Sequence, residues 1–313
     1  MKEYYSFNSS DQEKTKIHGV KWTPDGEPVG VIQLVHGMIE YIERYDEFAE
    51  FMNSKGFVVM GHDHIAHGES VKSHDDWGIM HTDTPSETMV EDMFTNYKII
   101  KEQYPSLPYF ILGHSMGSYL LRHLLIIKAN EFKDVRGAII MGSGTTPENM
   151  AKMGMTALKV LKTFKGWDGK SKIAVNLMYG DSYKGFSTDG SEPEKSWLST
   201  NVESVKKYYS DPKDTFMFSL NGYRLLVHSS GFVSKLENVE KMNKELPLLF
   251  VSGAQDPVGD LSVGVQTAYD TYKKAGVKDV SLHLFEGMRH EILQEVERQK
   301  VFEYIYSWVS EKM

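Results

Sequence analysis

The sequence predicts an α/β fold, in which a mainly parallel sheet carries helices on both of its faces. Stretches typical of strands and of helices alternate from residue 16 to residue 141, and the alternation returns from residue 246 onward. Several strand-like stretches are short, continuous apolar runs bounded by glycine or proline, as expected of strands that are buried on both sides. Regular alternation of strand and helix predicts parallel strands joined by helical connections.

The first two predicted strands are residues 16–22, which alternate between polar and apolar side chains, and residues 29–35, which are mostly apolar. Pro24, Asp25 and Gly26 between them form a turn signal. We therefore expect a hairpin that leads into the interior of the sheet. The further predicted strands are residues 57–60, 109–112, 135–141, 246–252 and 280–285, and the predicted helices are residues 44–55, 87–104, 119–127, 263–275 and 290–309.

Residues 145–221 interrupt the alternation with a methionine-rich helical pattern and then with mixed clusters that contain no clear strand. A block of this kind predicts an inserted helical lid, or cap, of residues 145–221 on a core formed by residues 1–144 and 222–313. The apolar side chains of the lid could line a pocket for an apolar ligand, or they could only pack the lid on the core. These side chains are Met150, Met153, Met155, Phe164 and Trp167.

The composition excludes several classes of function. The 313 residues contain no cysteine, which excludes disulfides, thiolate nucleophiles and cysteine-ligated zinc. A formal net charge of −8 argues against nucleic acid as a partner, because phosphate binding needs a concentrated basic face. No stretch has the unbroken apolar length of a membrane span, and the first residues show no apolar signal region. We expect a cytoplasmic protein.

Ser115 lies where the apolar run 109–112 meets the helical pattern 119–127, within the pentapeptide Gly113-His114-Ser115-Met116-Gly117. So sharp a turn needs residues with little or no side chain on either side of the corner, and the two glycines provide them. This G-x-S-x-G pattern is typical of a nucleophile elbow, in which the serine hydroxyl stands above the sheet and a helix begins beneath it. We therefore predict that Ser115 is a nucleophile.

Asp256 and His290 each follow a predicted strand, and the chain order Ser, Asp, His is the one expected with such an elbow. A histidine can take the serine proton near neutral pH, and a carboxylate can orient it and stabilise its charged form. Asp260 is an alternative carboxylate, but Asp256 is closer to the strand end. His290 lies in a loop and is preferred over the other histidines considered, His283 and His228.

An oxyanion hole needs two backbone donors, and the Met116 amide after the elbow is the first. Gly37 follows the predicted strand 29–35 and would let the Met38 amide approach the serine, although Gly37 could equally form a plain turn. A competing interpretation rests on His62, His64 and His67, whose H-x-H-x-x-H spacing could bind a metal that activates water. Ala66 stands where an acidic residue would support such a site.

Five short motifs extend over nearly the whole chain outside the insertion. They are His36-Gly37-Met38 with Glu40 and Arg44-Tyr45, Asp63 with His67-Gly68-Glu69-Ser70, Gly113-His114-Ser115-Met116-Gly117, Gly253 with Asp256, and Gly287 with His290-Glu291. Together they resemble the monoacylglycerol lipase and lysophospholipase branch of the α/β-hydrolases, also grouped with serine aminopeptidases. The chain departs from that pattern at Ile39 and Ala66, where the family usually has glycine or a small residue, and at Tyr41, where it has histidine.

The resemblance implies an eight-stranded sheet with a lid, a requirement for no cofactor or metal, and matching roles for the motif residues. Ser115 would be the nucleophile, Asp256 the orienting acid and His290 the base, with the Met38 and Met116 amides as the oxyanion hole. We therefore expect a carboxylic-ester hydrolase that forms an acyl-enzyme and takes a small, lipid-like ester of monoacylglycerol or lysophospholipid type.

Three alternatives to this lipid-ester interpretation stay open at the level of the sequence. The first is a peptide or amide hydrolase, for which Glu40, Glu43 or Glu203 could anchor an amine. The second is an esterase for small esters, and the third is a ligand sensor that retains the triad. The lid could also make transient contact with a membrane surface, and the oligomeric state is not determined by the sequence.

Overall fold

A mostly parallel eight-stranded sheet forms the centre of the computed structural model, which describes residues 1–132 and 134–313. The strands are β1 Lys2–Asn8, β2 Lys16–Trp22, β3 Gly30–Val35, β4 Phe57–His62, β5 Tyr109–His114, β6 Val135–Met141, β7 Leu248–Gly253 and β8 Val280–Phe285. Their spatial order is β1-β2-β4-β3-β5-β6-β7-β8. β2 runs antiparallel to β1 and β4, and all other neighbours are parallel. The predicted α/β architecture is confirmed.

Ten α-helices surround or extend this sheet in the described part of the chain. They are α1 Asp46–Ser54, α2 Pro85–Gln103, α3 Met116–Ile127, α4 Glu148–Lys165, α5 Lys172–Met178, α6 Val202–Ser210, α7 Leu220–Val233, α8 Leu236–Val239, α9 Val263–Lys274 and α10 Arg298–Glu311. The predicted last helix over residues 290–309 begins only at Arg298, because a loop and a short 3-10 turn precede it. None of the helices within the described ranges is both long and apolar enough to cross a membrane.

Alternate residues of the central strands face two separate apolar cores. Ile111 and Ile140 contribute to a core with α2, α3, α7 and α9, whereas Leu112 and Ile139 contribute to a core with α1 and α10. Every residue of β3, β4, β5 and β7 is buried. Cover on both faces is what makes these strands continuous apolar runs in the sequence.

The predicted hairpin between β2 and β3 is wrong, because β4 lies between these two strands. Val59 of β4 is paired with Trp22 on one side and with Ile32 on the other. The turn signal at residues 24–26 indicates only that the chain reverses locally and does not determine which strand pairs with β2. The strand that does so is β4, which comes later in the chain and pairs with β2 on one side and with β3 on the other. The antiparallel edge strand β1 was outside the prediction, since its side chains are largely exposed and lack an apolar run.

Residues 142–247 lead from β6 to β7 and contain α4 to α8. α4 packs on α7, and α7 packs in turn on α2 and α3 of the core. The predicted lid boundary at residue 221 therefore falls at the start of a helix that contacts the core directly. Met153 and Phe164 point away from the protein, with exposed fractions of 70% and 83%.

Four histidines are packed together beneath the carboxyl edge of the sheet. The rings of His36 and His64 are 4.3 Å apart, those of His36 and His67 are 5.1 Å apart, and those of His62 and His64 are 5.2 Å apart. The His64 N–H donates to His36 Nε2 at 2.9 Å. Across residues 1–132 and 134–313 no group of three or more histidine or acidic side chains is arranged to hold a metal ion, so the structure does not arrange His62, His64 and His67 as ligands.

Burial keeps this histidine cluster neutral. It lowers the pKa of His36 and His62 to about 3 and that of His67 to about 4, and it lowers the pKa of His64 well below its usual value. In the unfolded chain each histidine has a pKa of about 6.5. Between these values the unfolded state binds more protons than the folded state, so stability is lost as the pH falls.

We therefore expect the free energy of unfolding to fall steeply below about pH 6.5, each buried histidine contributing about 1.4 kcal/mol per pH unit. His62→Gln removes one titrating group and should reduce the slope by about that amount. The measurement is urea unfolding between about pH 5 and pH 7.5. The same substitution at His81, whose side chain is 43% exposed, is the control. Equal slopes for His62→Gln and the wild type would contradict the argument.

Candidate active site

Ser115 occupies a strained corner between β5 and α3. Its φ of 52° and ψ of −122° lie in a region that residues other than glycine rarely adopt. The Ser115 N–H donates to Met141 O of β6 at 2.9 Å, which ties the corner to the neighbouring strand. The predicted order of strand, sharp turn and helix is present, and Ser115 faces a large cavity at the carboxyl edge of the sheet.

Gly113 and Gly117 leave no room for a side chain at this corner. A Cβ on Gly117 would lie 2.3 Å from Val35 O and 2.5 Å from His36 O, and a Cβ on Gly113 would lie 2.5 Å from Gly117 O. The first turn of α3 therefore rests directly on the end of β3. This contact brings the Met116 amide and the loop after β3 to the same place.

Asp256 and His290 meet although they follow different strands, β7 and β8. His290 Nδ1 lies 3.0 Å from each carboxylate oxygen of Asp256. Asp256 is fully buried and also accepts from the Ser252 hydroxyl at 3.0 Å and from the Val258 N–H at 2.9 Å. With its oxygens held in this way, Asp256 fixes the orientation of the imidazole ring.

The other candidates considered for these positions lie elsewhere. Asp260 is exposed and has a left-handed φ of 50°. His283 stacks on Tyr304, with the ring centroids 4.2 Å apart, and His228 contacts the Ser86 hydroxyl at 3.1 Å. Asp256 is therefore the carboxylate that the structure brings to His290.

Ser115 and His290 line the same cavity. Among the described residues no hydrogen bond joins the Ser115 hydroxyl to the His290 ring. Such contacts are often long in hydrolases without substrate and tighten when substrate binds. The structure thus brings the two groups to one cavity, Ser115 from the corner before α3 and His290 from the loop after β8.

The loop after β3 approaches Ser115 closely at Gly37, the residue before Met38. A Cβ on Gly37 would lie 2.9 Å from the Ser115 Cβ, so only glycine permits this approach. Within the described chain the Met38 amide donates to no backbone carbonyl, and the Met116 amide is the first of α3 and has no intrahelical partner. Two backbone donors are therefore available at the serine, as an oxyanion hole requires.

Two of the departures from the family pattern adopt a backbone that favours glycine. Ile39 has a φ of 56° and Ala66 has a φ of 64°. The β-branched Ile39 is strained in this conformation, and its carbonyl accepts from the Tyr208 hydroxyl of α6 at 2.9 Å. The inserted region thereby holds the oxyanion loop directly.

Glu40 connects the parts of the site from beneath. Its carboxylate accepts from the Gly37 N–H at 2.6 Å, from His114 Nδ1 at 2.9 Å and from the Tyr45 hydroxyl at 3.1 Å. Arg44 donates to Glu40 through Nη1 at 3.2 Å and forms a bidentate pair with Glu291 through Nη1 and Nη2, at 2.6 and 2.9 Å. One buried acidic side chain thus joins the oxyanion loop to the elbow strand.

The charges of this network sustain one another. Burial opposes the ionised form of Glu40, but His114 and Arg44 outweigh it and hold the pKa of Glu40 below its usual value. Burial likewise opposes protonation of His114, but the Glu40 carboxylate outweighs it and raises the pKa of His114. Removing either partner would leave a buried charge without compensation.

The cavity above Ser115 has a volume of about 1020 Å³, at the upper end of the range for small-molecule sites. Its lining combines apolar side chains of the segment between β6 and β7 with acidic groups, among them Glu40, Glu291 and Asp214. The apolar lining includes Met150, Val175, Met178, Tyr223 and Leu226.

Only Met150 of the five predicted lid side chains lines this cavity. Met153 and Phe164 are exposed, and Met155 borders a separate small groove between α4 and α7. Trp167 packs beneath the Arg224 guanidinium, which lies 4.5 Å from its ring. Of the two alternatives left open by the sequence, lining the pocket therefore applies to Met150 and not to these four, because the helical pattern of α4 does not reveal which of its faces turns toward the core.

Several residues of the site were not predicted in the roles that they have in the structure. His114 and Glu40 stand inside the quoted motifs, and the position of Glu40 after a strand end, with Arg44 one helical turn later, is a signal that could have revealed the network. Asp214 and Trp197 lie in the insertion, where no motif or strand marks them. Asp214 is buried, and its Oδ1 has no hydrogen-bond partner among the described residues.

We expect Glu40→Gln to reduce kcat/KM for ester hydrolysis by about tenfold to a hundredfold, since the charge-assisted bonds to His114 and Gly37 weaken. The measurement is steady-state hydrolysis of p-nitrophenyl butyrate, with circular dichroism to verify the fold. Glu43→Gln, in the same loop but bonded to Tyr4 and Lys2 at the surface, is the matched control. Unchanged kcat/KM in folded Glu40→Gln would refute this role.

Comparison with known proteins identifies the family. The serine aminopeptidase S33 family matches residues 26–297. Monoglyceride lipase of Homo sapiens is 27% identical over 297 residues, covering 93% of this chain and 86% of that protein. Monoacylglycerol lipase of Mycolicibacterium smegmatis is 27% identical over 301 residues, covering 92% and 90%. The crystal structure of a thermostable carboxyl esterase from Bacillus coagulans, in complex with glycerol, is 29% identical with a TM-score of 0.88, covering 99% and 98% of the two chains.

These similarities extend over the sheet, the elbow and the insertion alike. The chain therefore belongs to the serine aminopeptidase S33 family of α/β-hydrolases, in its monoacylglycerol lipase-like branch, and is a serine ester hydrolase.

Proposed function

We propose that the protein hydrolyses esters of one apolar acyl chain and a small polar alcohol, of the monoacylglycerol or lysophospholipid type. The observation that carries this proposal is the buried pair of Asp256 and His290, which shares with Ser115 a cavity lined by both apolar and acidic side chains. The names of the human and mycobacterial relatives agree with this substrate class.

In the proposed reaction the Ser115 Oγ attacks the ester carbonyl while His290 Nε2 takes the hydroxyl proton. Asp256 holds His290 Nδ1 and stabilises the imidazolium. The Met38 and Met116 amides donate to the oxyanion of the tetrahedral intermediate. When the intermediate collapses, His290 returns the proton to the departing alcohol and the acyl group stays on Ser115. A water molecule activated by His290 then releases the carboxylic acid.

The acidic side chains of the cavity suit an alcohol with hydroxyl groups. Burial raises the pKa of Asp214 to about 8, so its carboxyl group is protonated at neutral pH and can both donate and accept. Arg44 compensates Glu40 and Glu291 through its hydrogen bonds to both. A neutral, hydrogen-bonding surface results, which favours an uncharged head group over a cationic one.

An aminopeptidase needs an acidic side chain that binds the terminal amine of its substrate. The aminopeptidase alternative is weaker because the glutamates considered for this role are already paired. Of the three glutamates predicted for that role, Glu40 is compensated by Arg44, and Glu203 pairs with Lys206 at the surface. Glu43 pairs with Lys2. All three glutamates therefore already have partners of opposite charge.

We further propose that residues 145–221 act as a lid over Ser115. Residues of α4, α5 and α6 line the cavity from above, as do those of the segment that connects α5 to α6. The Glu291 N–H, next to the proposed base, donates to Leu198 O of that segment at 2.7 Å. Substrate must pass between this lid and the core to reach the serine.

Ser115→Ala should abolish hydrolysis of p-nitrophenyl esters and of a monoacylglycerol, with a loss in kcat of at least about a thousandfold. An ester series from acetate to palmitate, beside an aminoacyl p-nitroanilide, separates the substrate classes. A maximum at medium or long chains supports the proposal. Activity confined to acetate or to the anilide, or activity retained in Ser115→Ala, would overturn it.

Met178→Trp should narrow the cavity at its apolar lining, because Met178 belongs to that lining. We expect the ratio of kcat/KM for palmitate to that for acetate esters to fall by about tenfold or more. Met153→Trp is the matched control, since Met153 is 70% exposed on α4. Equal ratios for Met178→Trp and Met153→Trp would show that the acyl chain binds elsewhere.

A further inference from the structure

The His290 ring lies between two other rings. Trp197 stacks on one side, with the centroids 5.0 Å apart and the planes inclined by 29°. His114 lies 4.7 Å away and inclined by 39°. Trp197 belongs to the inserted region, whereas Ser115, Asp256 and His290 follow the ends of strands elsewhere in the chain. The insertion thus supplies an aromatic face to the proposed base.

Trp197 is held in place by residues on both sides of His290. Residues 194–201, here called the strap, cross over the loop after β8. The Arg289 Nη1 donates to Glu194 O at 3.1 Å, to Ser196 O at 2.5 Å and to Ser199 O at 3.3 Å. One guanidinium therefore fixes the strap at three carbonyl groups.

A second set of bonds closes the strap. The Glu295 carboxylate accepts from the Arg289 N–H at 2.9 Å and from the Thr200 N–H at 3.0 Å, and it also bonds the Thr200 hydroxyl. The His290 N–H donates to Trp197 O at 3.4 Å. The indole is consequently fixed relative to the imidazole by bonds on either side of both residues.

The stacking matters because the charge of His290 changes during the reaction. A cation over the face of a tryptophan is attracted to the π-electrons of the ring, and the attraction strengthens when water is excluded. The neutral imidazole gains much less from the same contact. Trp197 therefore favours the imidazolium that forms when Ser115 loses its proton.

The titratable groups around His290 partly support and partly oppose its positive charge. Asp256 supports the positive charge through Nδ1, whereas His114, whose pKa the Glu40 carboxylate raises, opposes it when protonated. Glu291 is compensated by Arg44. The titratable groups that face His290 from the packed elements, including its own loop, are Asp256, His114, Glu40, Glu291, Tyr119 and Tyr183.

We propose that Trp197 is a positioning residue of the hydrolase, which holds the His290 ring and stabilises its protonated form through its aromatic face. The inference rests on the proposed role of His290 as the base. It makes the strap part of the catalytic apparatus, so that the inserted region acts on the chemical step as well as on substrate access.

The test compares Trp197→Leu with Trp197→Phe, which keeps an aromatic face. In Trp197→Leu we expect kcat for p-nitrophenyl butyrate to fall by about tenfold with little change in KM. The acid limb of the pH profile of kcat/KM should move to lower pH by about half a unit, since the imidazolium loses support. Trp197→Phe should keep most of the wild-type kcat and leave the acid limb close to its wild-type position.

Trp167→Leu is the matched control, because Trp167 lies in the inserted region beneath Arg224 and does not contact His290. The inference is overturned if Trp197→Leu and Trp197→Phe have the same acid limb, if Trp167→Leu moves it equally, or if only KM changes. His290→Ala separates this inference from the proposed function. If His290→Ala remains active, the proposed function fails, whereas an inactive His290→Ala beside an unmoved acid limb in Trp197→Leu refutes only the role of Trp197.

Discussion

The direct contact between α3 and the end of β3 is the constraint on which the site depends. Gly117 lies against Val35 O and His36 O with no space for even one methyl group. This contact forces Ser115 into its strained conformation, and it also brings the loop with Met38 beside the serine. The strain is sustained because the sheet on one side and the apolar face of α3 on the other leave the backbone no alternative.

Charge is distributed around this corner so that the buried charged groups Glu40, Arg44, His114 and Glu291 support one another. Glu40 is stabilised by Arg44 and His114, and Arg44 in turn by Glu291. Asp256 is supported by Ser252, Val258 and His290 rather than by a cation. This separation leaves the Asp256 carboxylate free to respond to the charge on His290, while the larger network beneath holds the backbone of the oxyanion loop.

The sheet could be predicted from the sequence because parallel strands that are buried on both faces appear in the sequence as continuous apolar runs. β2, β6 and β8 have the predicted bounds, and Ser115, Asp256 and His290 were predicted as site residues because each follows a predicted strand. The pairing of β2 could not be predicted, since its partner β4 is distant in sequence and local turn chemistry does not select partners. β1 was missed because an exposed edge strand carries little apolar signal.

The insertion defeated prediction for a different reason, since it contains no sheet register to order its side chains. Trp197, Tyr208 and Asp214 reach the site only because the whole segment folds back over the core, and no spacing in the sequence encodes that return. The same limit explains why the sequence left open which lid side chains line the cavity: Met150 does so, whereas Met153, three residues later, is exposed. Two residues that are three positions apart lie on the same side of a helix. Where the helix contacts the core only shallowly, one of them can be buried while the other stays at the surface.

Arg122 shows how the insertion is anchored to the nucleophile helix. This fully buried side chain of α3 donates to Gly144 O at 2.9 Å, just before the predicted lid, and to Val233 O at 3.0 Å, at the end of α7. It also donates to the Ser143 and Tyr272 hydroxyls, so its donors are used on neutral oxygens. The ends of the inserted region are thus fixed to the helix that begins at the serine, while its middle contacts His290 through Trp197. A displacement of the strap therefore changes the environment of His290 before it can disturb the elbow.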